Sequence, residues 1–213
     1  MMVYVGQTRS SKLIPRLSAF GFGEIVQRYE MAPRRRPYAI DNGAYGDWTN
    51  KRTFDEYEFK AAVAQSLYLD YWYEDGAPDF IVVPDLVAGG LASLAFSLQF
   101  VPWLEDRGIP LYLVLQDGMT EGDVEPCLSS FQGLFVGGTL PWKIKTGEQW
   151  VKFAHDHELP CHIGRVGTAR RFAQATRIGA DSIDSCLPLW CEKYLQQFVM
   201  AVQGAQPDLW STA

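Results

Sequence analysis

The feature that most limits what this chain can fold into is a repeated alternation. Short apolar, β-branched runs end in Gly, Asp or Gln, and each is followed by a stretch patterned as a helix. The runs cover residues 2–5, 38–40, 80–84, 111–115, 134–136, 161–163 and 182–183, with 24–29 as an eighth candidate. Continuous apolar runs of this length suit parallel strands buried on both faces. Helices are predicted over 53–72, 91–104, 121–128, 147–157, 169–178 and 192–202. Thr53 and Glu56 read as a capping box for the first of these. Pro78, Pro110 and Pro160 each precede a strand, where a missing N–H costs little.

Alternating β and α units imply an α/β protein with a parallel sheet. A closed (β/α)8 barrel and an open doubly wound sheet both satisfy the pattern. No GxGxxG follows any strand, so the dinucleotide fingerprint is missing. The favoured reading is one compact, TIM-like (β/α)8 barrel over residues 1–213. The chain's 213 residues lie near the lower bound of about 200 for that fold. Its active site would then sit at the carboxyl ends of the strands.

Composition excludes several classes. Apolar residues make up 47% and charged residues 21%, which rules out a disordered chain or a coiled coil. No apolar run is long enough to cross a membrane, and the first residues lack the pattern of a signal peptide. Cys127, Cys161, Cys186 and Cys191 form no CxxC pair, and reduced thiols in a cytoplasm (a host's, if the chain is viral) are the simple reading. His155, His157 and His162 show no ligand spacing, so neither zinc nor another cofactor is expected. The net charge of −6 argues against a broadly basic nucleic-acid-binding face, leaving Arg34, Arg35 and Arg36 as the densest local cluster.

The predicted strand ends carry the chemistry. Residues 38–40 run into Asp41-Asn42-Gly43-Ala44-Tyr45, and 80–84 into Asp85. The later strands run into Gln116-Asp117-Gly118, Gly137-Gly138-Thr139, Gly164-Arg165-Val166-Gly167 and Asp184-Ser185. Two carboxylates facing a substrate permit displacement at an acetal-like carbon, one as nucleophile and one as acid/base. An aspartate, a glutamine and glycine N–H groups can read the hydrogen-bonding edge of a purine. Gly137 and Gly138 allow backbone to approach a flat ligand, and Tyr45 can stack on a ring. Asp181 competes with Asp184, but strand side chains alternate faces, so the two should point to opposite sides. Asp181 would then cap or pair with Arg177. Of the seven tryptophans, mostly assigned to the core, Trp48 and Trp142 lie near rim motifs.

Asp41-Asn42-Gly43-Ala44-Tyr45 resembles the Asp-Ser-Gly-Gly-Phe/Tyr motif of tRNA-guanine transglycosylases. Val136-Gly137-Gly138 and Val166-Gly167-Thr168 resemble two further segments of that family. Gly179-Ala180-Asp181-Ser182-Ile183-Asp184-Ser185-Cys186-Leu187-Pro188 resembles the segment that carries its nucleophile. The motifs fall in the family's order. The resemblance implies a (β/α)8 fold and exchange of guanine for a 7-deazaguanine through a covalent glycosyl-enzyme, with no cofactor. It implies Asp184 as nucleophile and Asp41 as general acid/base. It further implies Asp85 on the guanidine-like edge of the base, Gln116 and the Gly138 amide on its carbonyl oxygen, and Tyr45 stacked on it.

The family's zinc subdomain is expected to be absent, because only Cys186 and Cys191 follow Asp184. The pattern is similar to the short DpdA-type deazapurine transglycosylases of bacteria and bacteriophages, which act on DNA. DNA is thus the expected polymer, tRNA the alternative, with Arg34, Arg35, Arg36 and Arg165 on the phosphate backbone and a protein partner assisting. Lys143 falls nearest the position where relatives using an aminomethyl base keep a glutamate, so a neutral 7-cyano-7-deazaguanine is the favoured incoming base. A non-catalytic base-binding subunit is a rival reading, although such a subunit needs neither Asp41 nor Asp184. A small barrel enzyme acting on a phosphorylated sugar is another, although no glycine ends the last strand.

Overall fold

The computed structural model describes residues 1–72 and 76–204. Eight parallel strands close into a barrel in chain order: β1 (Met2–Gly6), β2 (Gly23–Gln27), β3 (Tyr38–Asp41), β4 (Ile81–Val82), β5 (Leu111–Leu115), β6 (Gly133–Val136), β7 (Cys161–Ile163) and β8 (Ser182–Ser185). β1 closes the ring on β8, with Tyr4 opposite Asp184. The helices packed outside are α1 (Leu13–Ala19), α2 (Ala44–Thr49), α3 (Glu56–Trp72), α4 (Gly90–Leu98), α5 (Val101–Glu105), α6 (Glu121–Val124), α7 (Leu140–Asp156), α8 (Ala169–Arg177) and α9 (Glu192–Val202). This is the compact (β/α)8 barrel that the alternation predicts. The last stretch assigned to the domain, 205–213, lies outside the described residues.

Period-two alternation sorts the strand side chains into two layers. Val3, Val5, Val26, Ile40, Ile81, Leu113, Val136 and Ile183 join the large cluster between strands and helices. Tyr4, Ile25, Ala39, Phe80, Val82, Val114 and Phe135 form a smaller cluster inside the barrel. The interior is therefore a packed core, as barrels of this size require.

The strand expected over 80–84 is confined to 81–82, that over 24–29 to 23–27, and the helix expected over 121–128 to 121–124; three further differences have a clear local reason. Asp55, not Thr53, caps α3, its Oδ1 accepting the Glu58 N–H at 2.9 Å. The helix predicted over 91–104 breaks into α4 and α5, with Pro102 in the first turn of α5, where its missing N–H is harmless. α7 begins at Leu140, because Pro141 likewise sits in a first turn that needs no donor.

The link from β2 to β3 holds no α-helix. It runs through a 3-10 turn at Arg28–Glu30 and an extended stretch. Arg35 fills the space a helix would take. Its guanidinium is fully buried, ion-paired to Glu24 at 3.3 Å, and donates to the carbonyls of Val5 (2.9 Å), Gly6 and Gly23 (both 3.3 Å). The Glu24 carboxylate in turn accepts the backbone N–H of Arg34 at 2.5 Å.

Candidate active site

Asp41 ends β3, and the turn after it is held from beneath. Arg28, buried, donates to the Asn42 carbonyl at 2.6 Å and ion-pairs with Asp47 and Glu58. Asp41 accepts from Gln27 Nε2 at 2.6 Å and from the Gly43 N–H at 3.1 Å. Burial raises its proton affinity, those two bonds oppose the rise, and the charge of Asp184 adds to it. The balance lies above an ordinary aspartate, so Asp41 favours its protonated form more than a free carboxyl does.

Asp184 lies on β8, and its environment pushes the other way. His162 presents Nε2 to Asp184 Oδ1 at 3.0 Å, and the Arg165 N–H donates to the same oxygen at 2.9 Å. Burial opposes ionisation, but the His162 bond and charge, the Arg165 amide and the nearby Lys143 outweigh it, and the carboxyl is held below its usual range. An ionised carboxylate only accepts, so Nε2 carries the proton. The other ring nitrogen, Nδ1, lies 2.8 Å from Ser182 Oγ. The Asp184 side chain keeps 12% of its surface exposed. Asp181 sits at the opposite end of the strand, bound by His155 at 2.9 Å and by the Cys161 N–H at 2.7 Å. It is a structural carboxylate, although Arg177 pairs with Glu148 instead.

Asp85 is buried and receives two side-chain amides: Asn42 Nδ2 on Oδ1 at 2.7 Å and Gln116 Nε2 on Oδ2 at 2.5 Å. Burial still dominates and pushes its pKa up to about 6. Gln116 spends its carbonyl inside the protein, accepting the N–H groups of Ala88 (2.9 Å) and Gly138 (3.1 Å). The expected joint action of Gln116 and the Gly138 amide on a ligand oxygen is therefore not what the structure has: these two groups bind each other. Gly137 and Gly138 do make a close-approach turn. A Cβ on Gly137 would meet Val114 at 2.6 Å, and Gly138 has φ +64°. Asp117 secures the turn by accepting the Thr139 N–H at 2.7 Å.

Asp41, Tyr45, Asp85, Gln116, Gly137 and Arg165 line one small cavity of about 50 Å³, together with Val82, Val114 and Phe135. Arg165 crosses its mouth. Its guanidinium lies 4.0 Å above the Tyr45 ring and donates to the Gly138 carbonyl at 2.6 Å. Its φ of +56° is in the left-handed region, a strained conformation for a non-glycine residue. Tyr45 and Arg165 divide this cavity from an outer cleft that also holds Gly138, Lys143 and Arg171.

Four expected roles change. Arg35 is inside the fold and cannot meet a phosphate. Arg34 is engaged with Glu30 at 3.2 Å. Arg36 is exposed, but it precedes β3 and so lies at the amino end of the strand whose carboxyl end holds Asp41. Lys143 lines the outer cleft, not the cavity with Asp85. Its Nζ donates to the Gly164 carbonyl, and burial together with the charge of Arg165 brings its pKa down to about 7. Among the tryptophans, Trp150 is core, whereas Trp48 and Trp190 are exposed.

The sequence reading missed His162, Gln27 and Asn42. Alternation alone could have found His162, since Cys161 and Ile163 face outward and leave it pointing into the barrel. Among the described residues, no group of three or more His, Cys, Asp or Glu side chains is placed to share a metal ion, and no helix is long and apolar enough to cross a membrane. No protein-family model matches the chain, and no curated protein matches it.

Proposed function

We propose that this chain is a base-exchange transglycosylase that replaces guanine in DNA with a 7-deazaguanine. One observation carries the reading. Two carboxylates on one rim, Asp41 and Asp184, have surroundings that drive their proton affinities apart. Such a divergence separates an acid from a nucleophile.

In the first step, Asp184 attacks C1′ of the nucleoside, the bond from C1′ to N9 breaks, and Asp41 supplies the proton the departing guanine needs. In the second, the incoming base loses its N9 proton to Asp41, N9 attacks C1′, and the Asp184 carboxylate leaves. Two inversions give net retention. A carboxyl held ionised by His162 is both available to attack and, being weakly basic, able to leave. The cavity beside Asp41 has apolar residues and a buried carboxyl, Asp85, in its lining, which supports a planar heterocycle as the ligand once the Tyr45 and Arg165 side chains give way. Because the reacting carbon lies inside a duplex, the target must be presented unstacked.

The choice of DNA over tRNA rests on the resemblance to the short DNA-modifying enzymes, and the arginines at 34–36 lend it no support. The neutral 7-cyano base is preferred here because the cation over the cavity, Arg165, disfavours an ammonium. A second reading, a base-binding subunit without exchange activity, is favoured by the way Arg165 lies over Tyr45 and against Asp184. Incubating the protein with labelled guanine or 7-deazaguanines and either single-stranded DNA or tRNA tests these readings. Label in DNA supports the proposal, with the cyano base expected to outcompete the aminomethyl base. Label in tRNA alone moves the polymer, and label in neither overturns exchange.

A further inference from the structure

The outer cleft beside the candidate active site gathers three cations and two aromatic rings. The protein carries a net charge of −6. Yet Lys143, Arg165 and Arg171 line this cleft with no acidic residue among its lining, and none of the three forms an ion pair among the described residues. Some cations elsewhere are paired, as Arg28 is with Asp47 and Glu58 and Arg34 with Glu30. Facing them are two aromatic rings, Tyr45 and Trp48, which are 44% and 54% exposed with centroids 5.8 Å apart. Unpaired cations packed together repel one another unless an anion arrives. Burial depresses Lys143, the like charges of Arg165 and Arg171 add to that, and the carboxylates of Asp184 and Asp117 oppose it without cancelling it.

We infer that this cleft holds the phosphodiester backbone of a single nucleic-acid strand, with a phosphate against Arg171 and Arg165 and a neighbouring base stacked on Trp48. Cations tracking a backbone beside an aromatic platform are the usual means of gripping a single strand without reading its sequence. The cleft opens beside the cavity with Asp41, sharing Tyr45 and Arg165 with it. A strand lying there would deliver an unstacked nucleotide to the rim. The inference rests on the exchange reading for its biological sense but is testable without it.

The test is binding of a fluorescent, guanine-containing single-stranded oligodeoxynucleotide, followed by anisotropy across a salt series. It uses wild-type protein, Arg171→Ala, Arg171→Glu, Trp48→Ala and Arg36→Ala. Arg171 enters the cap of α8 only through its backbone N–H, which donates to Thr168 Oγ1 at 3.2 Å, so the side chain can be removed without losing the cap. Arg171→Ala should weaken binding roughly tenfold and lower the salt slope by about 0.7. Arg171→Glu should weaken it further. Trp48→Ala should weaken binding with the salt slope unchanged, because stacking releases no counterion. Arg36→Ala should have no effect. Undetectable wild-type binding, wild-type behaviour of the Arg171 and Trp48 variants, or a flattened slope in Arg36→Ala would each overturn the inference. If exchange is absent but these binding effects appear, the cleft stands and only the catalytic reading falls.

Discussion

At the amino end of the barrel interior, Phe80 and Tyr112 stack with centroids 4.0 Å apart, Tyr4 meets Phe80 edge-on, and the Tyr4 hydroxyl donates to Asp79. At the carboxyl end, the barrel turns inward Asp41, Gln116, Gly137 and Asp184, from or just after β3, β5, β6 and β8. The two ends differ in what fills the inward positions: rings below, carboxylates and glycine above. His162 joins them, stacked on Phe135 at 4.5 Å on one side and bonded to Asp184 on the other. The lower end thereby closes the barrel to water, and the upper polar groups stand on a dry floor. That is why burial dominates the proton affinities of Asp41 and Asp85. The fold supplies the desolvation, and the hydrogen bonds decide which carboxyl escapes it.

The comparison breaks most readily at Asp184. Asp184→Asn should lower base exchange by on the order of 10⁴-fold or more, since an amide neither attacks nor leaves. Its melting temperature should stay close to wild type, and wild-type exchange rates would remove Asp184 from the mechanism.

Disturbing the lower end should do the reverse. Phe80→Ala opens a cavity under the site and should cost about 3–5 kcal/mol in urea unfolding. The folded fraction should retain Asp184-dependent exchange. A loss below about 1 kcal/mol would mean the ring layer is not the packed plug described.

The dry floor also has a pH signature. The folded protein holds a proton on Asp85 up to about pH 6, whereas an unfolded aspartate releases it near 4. The folded state binds more protons in that window, so this group's contribution to stability falls as pH rises across it. Relative to Asp85→Asn, wild type should lose about 2–3 kcal/mol between pH 4 and 6. A gap between the two proteins that stays flat with pH contradicts burial of that carboxyl. Asp184 has the opposite sign: its stabilisation is present above the unfolded value and is lost as pH falls through its lowered folded one.

The smallest expected effect sharpens the boundary between the two ends. Gly137→Ala places a methyl 2.6 Å from Val114 and 3.1 Å from the Leu115 carbonyl. It should cost about 1–3 kcal/mol while raising the KM for the incoming base more than it lowers kcat. An unchanged KM would show that the base does not lie against this turn.

The barrel was legible because its signal is dense. Each strand needs only a short apolar run and each crossover only a periodic one, so β5, β7 and α9 could be bounded to the residue. The link from β2 to β3 was not legible, since Arg34, Arg35 and Arg36 read as a solvated basic loop. A charge looks exposed in sequence, and only the long-range partners Glu24, Val5 and Gly23 reveal that Arg35 is buried. The rim positions of Asp41, Asp85 and Asp184 followed from strand ends alone. Their wiring did not, because Gln27, Asn42 and His162 come from other strands or carry no motif. For His162 the only sequence signal is parity, since it lies between the outward Cys161 and Ile163 of β7.

The central claim, that the Asp184 rim does covalent chemistry, is tested most directly by looking for the bond. Wild-type protein is incubated with a guanine-containing single-stranded oligodeoxynucleotide, rapidly denatured, digested and analysed by mass spectrometry. The account predicts a sugar-linked adduct on the peptide containing Asp184, absent in Asp184→Asn and discharged when a 7-deazaguanine is added before denaturation. An adduct on another residue, or exchange that proceeds with no adduct at any time point, would contradict it.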